Sequence, residues 1–313
     1  MGYKKVGIVG IGNVGSSIAY NLALKNICNK ILLKDLREDF TKAIALDISQ
    51  AISSVNSKTI IEAVHSDEKF KDCDIVVITA GIARKPGMSR DDLLFTNAKI
   101  MNLIVQNVVK YNKDAILVIV SNPLDAMVYS ALKASNFPRN KVLGMAGILD
   151  SSRMAYFIKE KIGYKKIEAM VLGGHGDDMV PLIKETKVDG VPLDEVLNEN
   201  EIKNIIQKTR NGGIEIVKLL QTGSAYYAPA QATVLMVESI LKDKKLTYPC
   251  AIELQGEYGY ENVVTGVPIV LGKNGAEEII EKKLSNQEKI DFNNSVNSVK
   301  TLIKKLKENS LNQ

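Results

Sequence analysis

The sequence predicts an α/β protein in which a doubly wound parallel sheet precedes a mixed α+β domain. Three observations lead to this prediction. Short apolar runs alternate with amphipathic segments through the first half of the chain. These runs lack a polar face, as expected of strands that are covered on both sides. After about residue 146 the alternation gives way to Gly- and Tyr-containing pieces. We therefore predict two domains, residues 1–145 and 146–313.

The predicted elements of the first domain follow from the period of the apolar residues. Runs of four to eight apolar residues between polar residues indicate strands, and recurrence every three to four residues indicates helices. Strands are expected at residues 4–9, 30–35, 59–64, 74–81, 115–121 and 141–145. Helices are expected at residues 14–25, 38–52 and 93–111.

The second domain is predicted by the same rules but with weaker patterns. Helices are expected at residues 152–162, 201–220, 230–242 and 286–307, and strand-like pieces at residues 169–173, 246–257 and 262–271. The last helix places apolar side chains on one face and lysines on the other, which is typical of a surface helix docked on a core. Its apolar face consists of Phe292, Val296, Val299, Ile303 and Leu306.

Composition narrows the function classes. The 313 residues are 45% hydrophobic and 25% charged, which is ordinary for a soluble globular protein. Net charge is +5, but Lys and Arg are spread along the chain, so we expect no nucleic-acid partner. No apolar run is long enough for a membrane span, and the first strand begins too early to leave room for a targeting peptide, so a cytoplasmic protein is expected. The three cysteines lack motif spacing and are interpreted as apolar fillers, with no metal site.

A glycine-rich segment follows the first strand. Gly10, Gly12 and Gly15 form a G-x-G-x-x-G pattern that leaves a predicted strand and opens a predicted helix, the context that makes this pattern specific for a dinucleotide. Gly10 permits the tight turn, Gly12 lets a pyrophosphate approach the backbone, and Gly15 lets helix and strand pack closely. This indicates a Rossmann-type domain with the phosphates at the helix N-terminus.

An acid at the end of the second strand predicts which dinucleotide binds. Asp35 lies 20 residues beyond Gly15, where a carboxylate accepts hydrogen bonds from the adenosine ribose and repels a 2′-phosphate. NAD is therefore expected rather than NADP, although the neighbouring Lys34 and Arg37 weaken the discrimination.

Residues 82–92 form a loop that carries two fixed positive charges. Arg84 and Arg90 flank Pro86 and Gly87, which mark a turn. A buried strand thus delivers two guanidinium groups into a segment with the composition of a movable lid. Such a segment suits a small anionic substrate.

Further candidates for chemistry lie at strand ends and near a helix start. His175, in VLGGHGDDM, follows an apolar strand and is flanked by glycines that let backbone approach a ligand. Asp150 and Arg153 share one side of a helical turn, and Asn122 ends the fifth strand. Each also has a structural interpretation: a loop histidine, a helix-start acid, a surface arginine and a turn asparagine. His65, the other histidine, is interpreted as structural.

Taken together, these segments resemble the lactate/malate dehydrogenase family. The resemblance covers nearly the whole chain in order and at family-like spacing. It is carried by the segments GIVGIGNVGSS, LLKD, ITAGIARKPGMSRDDLL, VSNPLD, LDSSR, LGGHGDDMVP and GSAYYAPA.

The resemblance implies a role for each candidate. His175 is expected to accept and donate the proton, and Asp150 to hold its imidazole. Arg153 is expected to bind the substrate carboxylate, Arg90 to polarise the reacting carbonyl as the loop closes, and Asn122 to hydrogen-bond near that oxygen. Cofactor contacts are expected at Gly10, Gly12, Asn13, Val14, Gly15, Asp35, Ala80, Gly81, Asn97, Val120 and Asn122. Members of the family are oligomers, so a homotetramer, or else a homodimer, is expected.

Within the family, the loop position held here by Arg84 reads the substrate side chain. An uncharged residue accompanies lactate dehydrogenases and Arg accompanies malate dehydrogenases, because malate and oxaloacetate carry a second carboxylate. Pyruvate would leave Arg84 buried without a partner, at a cost of about 3–5 kcal/mol. Ala225 fits as well, because a small residue leaves room for the longer substrate. The expected reaction is therefore the reversible, NAD-dependent oxidation of (S)-malate to oxaloacetate.

Three alternatives stay open at this point. The nearest is a lactate or other 2-hydroxy-acid dehydrogenase. An NAD-dependent glycosidase shares this type of fold, but it needs a metal bound through Cys and His, and no Cys lies near His175 in the sequence. A catalytically silent NAD-binding regulator is disfavoured by the complete set of Asp150, Arg153, His175 and Arg90.

Overall fold

The structure is a computed structural model that describes residues 2–83, 87–163 and 165–311, the side chains of residues 310 and 311 excepted. The first part of the chain alternates strands and helices as predicted. Its strands are β1 (Lys5–Val9), β2 (Lys30–Lys34), β3 (Ile60–Ala63), β4 (Ile75–Ile78), β5 (Ile116–Ile119) and β6 (Val142–Gly144). Its helices are α1 (Asn13–Leu24), α2 (Glu38–Ser53), α3 (Arg90–Tyr111) and α4 (Leu124–Ser135).

The second part begins with α5 (Gly147–Ile162) and contains shorter strands. These are β7 (Ile167–Glu168), β8 (Val171–Leu172), β9 (Val180–Pro181), β10 (Lys187–Val188) and β11 (Val191–Pro192). The helices α6 (Leu193–Val196), α7 (Glu199–Leu220) and α8 (Tyr227–Leu241) follow. The chain continues through β12 (Leu246–Gln255), β13 (Glu261–Gly272), β14 (Gly275–Ile279) and α9 (Asn286–Leu311).

The described residues form a nine-stranded sheet that contains both parts of the chain. The first six strands are parallel and lie in the order β3-β2-β1-β4-β5-β6, which is a doubly wound order with a switch between β1 and β4. The antiparallel strands β12, β13 and β14 extend the sheet beyond β6, through the pair Ala251 and Gly144. The prediction of a doubly wound sheet followed by a mixed part is confirmed.

Helices α3, α5, α7 and α8 begin two or more residues earlier than the sequence predicts, and the reason is identifiable for α3 and α5. Helix α3 starts at Arg90 rather than residue 93 because Ser89 and Asp92 form a capping box: the Ser89 hydroxyl accepts from the Asp92 N–H and the Asp92 carboxylate accepts from the Ser89 N–H. Arg90 is therefore the first residue of a helix and not a loop residue. Helix α5 starts at Gly147 rather than residue 152, and a Cβ on Gly147 would lie 2.2 Å from the Val171 carbonyl oxygen. The N-cap residue, Ala146, makes no side-chain cap hydrogen bond, so no polar N-cap marks this start in the sequence.

Helix α4 and strand β7 were not anticipated. Most residues of α4 are buried, so this helix has no polar face from which a helical period could be read. Of the strand expected at residues 169–173, only Val171 and Leu172 form a strand, β8, and β7 lies before that range in a different sheet. The docked C-terminal helix is confirmed, because Phe292, Val296, Val299 and Ile303 of α9 are buried.

The described residues pack into two hydrophobic cores. The larger core follows the nine-stranded sheet and its covering helices. A smaller core, which includes Met154, Ile158 and Ile205, lies between α5, α7 and the short strands. Among the described residues, no helix is both long enough and apolar enough to cross a membrane.

Candidate active site

The carboxyl ends of β1, β4 and β5 meet at one edge of the sheet and hold their loops together. The Thr79 hydroxyl donates to the Gly10 carbonyl at 2.6 Å, and the Ser121 hydroxyl donates to the Ala80 carbonyl at 2.5 Å. These bonds join the three loops at the crevice where doubly wound sheets bind ligands.

The glycine-rich turn has the shape that a dinucleotide requires. Gly10 has φ +94°, and a Cβ there would lie 2.6 Å from the Ala80 nitrogen. A Cβ on Gly15 would lie 2.0 Å from the Gly10 carbonyl oxygen, whereas a Cβ on Gly12 would meet no described atom within 4 Å. The first and third glycines thus serve the fold, and the space at Gly12 is left for a ligand. Within α1, which is wholly described, no side chain caps the N-terminus and the first turn has no acid, so the site suits a pyrophosphate.

Asp35 follows β2 and is held by the turn itself. Its Oδ2 accepts the Ile11 N–H at 2.7 Å, and its Oδ1 accepts from the Arg37 guanidinium at 3.1 Å. Burial opposes ionisation, but the hydrogen bonds from Arg37 and Ile11 outweigh it and lower the pKa of Asp35. The carboxylate is therefore ionised at neutral pH, and its hydrogen bond to a ribose hydroxyl stays a prediction.

Asn97 fits the site in a different manner from the one expected. Its amide accepts the Ile82 N–H at 2.8 Å and donates to the Asn122 carbonyl at 2.7 Å. This buried side chain thereby fixes the start of the residue 82–92 segment to the end of β5. Its expected contact with the cofactor stays a prediction.

A cavity of about 610 Å³ opens next to this edge of the sheet. Nine predicted site residues line it: Val14, Gly81, Asn97, Val120, Asn122, Asp150, Arg153, His175 and Ala225. The cavity therefore joins the end of the dinucleotide crevice to the charged residues of the second part.

The Asp150 carboxylate contacts both His175 and Arg153, the two side chains that are expected to act on the substrate. The carboxylate is 1% exposed, and its Oδ2 lies 2.9 Å from His175 Nδ1. Its Oδ1 accepts from Arg153 Nη1 at 3.4 Å. Both oxygens are thus used, and Nε2 is the imidazole nitrogen that Asp150 does not hold.

Two opposing effects set the pKa of His175. Burial alone would lower it, because a low-dielectric site disfavours the imidazolium ion. The adjacent Asp150 carboxylate outweighs burial through its charge and hydrogen bond, so the pKa of His175 is raised. The protonated form is thereby made accessible near neutral pH, as a proton donor requires.

Arg153 of α5 lies against two consecutive glycines of α7, Gly212 and Gly213. A Cβ on Gly213 would stand 3.2 Å from Arg153 Nη2, and one on Gly212 would stand 3.5 Å from its Cδ. The paired glycines let α5 and α7 approach with the guanidinium between them. Among the described residues, Arg153 Nε is buried without a partner, which leaves a donor available to an anion.

The structure does not bring Arg90 into this cluster. Arg90 is exposed at the start of α3 and does not line the cavity. Arg84 lies outside the described residues. Of the remaining cofactor candidates, the cavity lining does not include Gly10, Gly12, Asn13, Gly15, Asp35 and Ala80.

Sequence reasoning missed the residues that hold the backbone of the His175 turn. The Asp125 carboxylate accepts the His175 N–H at 2.9 Å, and the Ser295 hydroxyl accepts the Gly174 N–H at 2.8 Å. Asp125 follows Asn122 closely and could have been noticed in SNPLD. Ser295 is 121 residues from its partner and carries no signal.

His65 and the cysteines take no part in this site. His65 Nδ1 lies 3.3 Å from a Glu38 carboxylate at the surface. The thiols of Cys28, Cys73 and Cys250 are free and buried. Burial raises the pKa of Cys28 and of Cys73 to about 12, so these thiols stay protonated.

The chain matches two family models. Residues 4–144 match the lactate/malate dehydrogenase NAD-binding domain, and residues 148–310 match the lactate/malate dehydrogenase α/β C-terminal domain. Malate dehydrogenase of Aliarcobacter butzleri is 57% identical over all of both chains.

Solved structures of malate dehydrogenases and of lactate dehydrogenases share this fold. Malate dehydrogenase of Cryptosporidium parvum is 40% identical, with a TM-score of 0.95 over 98% of this chain and 100% of that one. Lactate dehydrogenase of the same organism, in complex with lactic acid and β-nicotinamide adenine dinucleotide, is 37% identical, with a TM-score of 0.93 over 97% and 98%. Both matched models and the full-length identity agree with the glycine turn and the His175–Asp150–Arg153 cluster: this chain belongs to the lactate/malate dehydrogenase family.

Proposed function

We propose that this chain is an NAD-dependent malate dehydrogenase that oxidises (S)-malate to oxaloacetate reversibly. The observation that carries the proposal is the placement of His175, Asp150 and Arg153 around one cavity that Asn122 also lines. This arrangement offers a proton acceptor, a group that orients it and a carboxylate-binding cation beside the dinucleotide crevice.

The residues divide the work of alcohol oxidation. NAD, when bound at the glycine turn, supplies the group that accepts the hydride from the substrate carbon. His175 takes the hydroxyl proton at Nε2, because Asp150 holds Nδ1 and stabilises the imidazolium that forms. Arg153 binds the substrate carboxylate through its planar guanidinium, which suits two parallel hydrogen bonds.

In the reverse direction, the imidazolium of His175 donates its proton to the carbonyl oxygen on which negative charge develops. We assign Asn122 to a hydrogen bond at the same oxygen. We assign Arg90 to this oxygen in the closed complex, which requires the first turn of α3 to move toward the cavity, because Arg90 is exposed and does not line it. Exclusion of water on closure strengthens both interactions.

Arg84 supports malate rather than lactate as the substrate. The second carboxylate of a four-carbon diacid supplies the partner that a guanidinium in a closed site requires. The malate dehydrogenase name of the 57% identical relative supports the same choice. The fold is neutral on this point, since the lactate dehydrogenase noted above has nearly the same TM-score.

A substrate screen tests the proposal directly. The purified protein is assayed by NADH oxidation with oxaloacetate, pyruvate and longer 2-oxo acids, with NADPH in parallel. We expect oxaloacetate with NADH to give the largest kcat/KM. Equal efficiency with pyruvate would refute the substrate assignment, and equal efficiency with NADPH would refute the cofactor assignment.

The variant Arg84→Gln sharpens the same test. We expect the ratio of kcat/KM for oxaloacetate to that for pyruvate to fall by about 10²–10³, because removal of the charge abolishes the pairing with the distal carboxylate and the penalty with pyruvate. Lys85→Gln is the matched control in the same segment and should leave the ratio unchanged. An unchanged ratio in Arg84→Gln would contradict the role of Arg84.

The wider setting is also part of the proposal. We assign the protein to the cytoplasm and the reaction to the malate–oxaloacetate step of the tricarboxylic acid cycle. The two family-model ranges support a division into an NAD-binding domain, residues 1–145, and a substrate domain, residues 146–313.

We further propose a homo-oligomer, a tetramer or else a dimer. Large apolar side chains are exposed on three helices: Leu46 of α2, Leu219 of α7 and Tyr227 of α8 are 61%, 76% and 71% exposed. The resemblance to a family of oligomers supports this proposal, and these side chains would mark an interface where they form one contiguous patch. A monomeric mass by light scattering would refute the oligomer.

A further inference from the structure

Asp125 is a second buried carboxylate beside His175. It belongs to the first turn of α4, directly after the Asn122-Pro123 cis peptide, and is 5% exposed. Its Oδ2 accepts the backbone N–H of His175 at 2.9 Å. Within the described residues, its Oδ1 is buried and has no hydrogen-bond partner.

The His175 turn is held tightly on the side of Asp125. The preceding N–H, of Gly174, donates to Ser295 of α9, and the Gly173 N–H donates to the Gly266 carbonyl of β13 at 2.9 Å. A Cβ on Gly174 would stand 3.3 Å from Asp125 Oδ2 and 3.0 Å from Val299 Cγ2. Asp125 is therefore the acceptor that the first part of the chain contributes to a turn otherwise held by the second part.

A buried carboxylate that accepts one backbone N–H costs free energy of desolvation. An asparagine would accept the same N–H without the desolvation of a charge, which is expensive for a buried carboxylate with one hydrogen bond. Burial raises the pKa of Asp125 to about 6, although the His175 N–H and imidazole act in the opposite direction. At neutral pH most of this group is still ionised, so its negative charge acts on the site.

The charged groups that face this carboxylate are few. His175 attracts it and Asp150, from α5, repels it. Arg153, also from α5, acts on the His175 imidazole in the sense opposite to Asp125. From α9, the uncharged side chains of Ser295 and Val299 lie against the adjacent Gly174.

We propose that Asp125 is a positioning residue for the proton transfer: it fixes the His175 turn to the segment that carries Asn122, and its negative charge stabilises the imidazolium. This inference rests on the proposed function only for the identity of the reaction. Asn122 and Asp125 share one short segment, so the hydrogen bond to His175 sets the distance between the proton acceptor and the side chain assigned to the reacting oxygen. Asp150 orients the ring, and Asp125 orients the backbone from which the ring projects.

The charge is tested by titrating the two histidines. The protein is labelled with ¹³C-histidine, and the pKa of each imidazole is measured by NMR in wild type, Asp125→Asn and Ser295→Ala. In Asp125→Asn the side-chain oxygen still accepts the N–H, but we expect the pKa of His175 to fall by about 0.5 or more, a threefold change in the proton-binding constant. His65, paired with Glu38 at the surface, is the internal control and should not shift. Ser295→Ala removes a neutral acceptor from the adjacent N–H and should leave the His175 titration unchanged.

The positioning role is tested by a third variant. Asp125→Ala removes the acceptor as well as the charge, and we expect kcat for oxaloacetate reduction to fall about tenfold or more with the KM for NADH unchanged. Asp125→Asn should recover most of that loss at a pH below the pKa of His175, where the imidazolium is fully formed. Thermal melting and circular dichroism show whether each variant is folded, and rates are expressed per folded chain.

Specific results would overturn the inference. An unshifted His175 titration in Asp125→Asn, or an equal shift in Ser295→Ala, would remove the electrostatic role. Wild-type kcat in folded Asp125→Ala, or a loss that Asp125→Asn does not recover at low pH, would remove the positioning role. If wild type reduced neither oxaloacetate nor pyruvate, the proposed function would be refuted. The electrostatic effect of Asp125 on His175 would still be decided by the NMR titration.

Discussion

The two ends of the ligand crevice achieve recognition by different means. At the dinucleotide end, backbone conformation shapes the site: Gly10 makes the tight turn, Gly15 allows close packing, and Gly12 leaves space before the N-terminus of α1. At the substrate end, side chains from distant parts of the chain form the site. His175 and Asp150 are 25 residues apart in the chain, and His175 and Asp125 are 50 apart.

This difference shows how each kind of site depends on the rest of the fold. A backbone site is complete once one strand, one turn and one helix have formed. A side-chain site requires several elements to be placed to within a fraction of an ångström, and its buried charges must be balanced as well. The first kind should therefore be sensitive to added bulk, and the second to lost functional groups.

The largest effect is expected from His175→Asn. Asn keeps the polarity of the site but cannot transfer the proton, so kcat should fall by roughly 10²–10⁴. The dissociation constant for NADH, measured by fluorescence titration, should change little, because His175 belongs to the substrate end. Loss of NADH binding in a folded variant would show that the two ends are not separable in this manner.

A smaller effect is expected from Arg153→Ala. The substrate carboxylate loses its cation, and Asp150 loses one of its two partners, so kcat/KM should fall by roughly 10²–10³ for both oxaloacetate and pyruvate. The common loss contrasts with Arg84→Gln, which should change the ratio between the two acids. If Arg153→Ala affected only oxaloacetate, Arg153 would be reading the distal end of the substrate instead.

The smallest of these effects is expected at the dinucleotide end. In Gly12→Ala the added Cβ meets no described atom within 4 Å, so the fold should remain, but the phosphates lose part of their approach and NADH affinity should fall by roughly 10- to 100-fold. Gly15→Val is the contrasting variant, because its Cβ collides with the Gly10 carbonyl and should lower the melting temperature. Equal melting temperatures for the two variants would contradict the division between a glycine for the ligand and a glycine for the fold.

Sequence patterns predicted most of the strands and helices in the first part of the chain and fewer of those in the second part. Strands buried on both faces are visible as apolar runs, so all six parallel strands were anticipated near their observed positions. Helix α4 was not, because a helix buried on most sides has no alternation to read. The short strands β7 to β11 pair through two residues each and leave almost no periodic signal.

The site shows the same limit at the level of single residues. The resemblance of motifs predicted that His175, Asp150 and Arg153 act together, and the structure places them in contact. It could not predict that paired glycines of α7 make room for Arg153 or that Asn97 joins Ile82 to Asn122. Such contacts depend on how elements pack, and packing is not written in the spacing of residues along one element.

The sequence by itself determined the fold class and the glycine turn with its acid at Asp35, because each depends on local period or local backbone conformation, and through its family resemblance it predicted which groups react. Only the tertiary structure decided which carboxylates surround His175 and how deeply they are buried. Burial and distance set the electrostatic balance of the imidazole, and both arise from the approach of α4, α5 and α9 to one short turn.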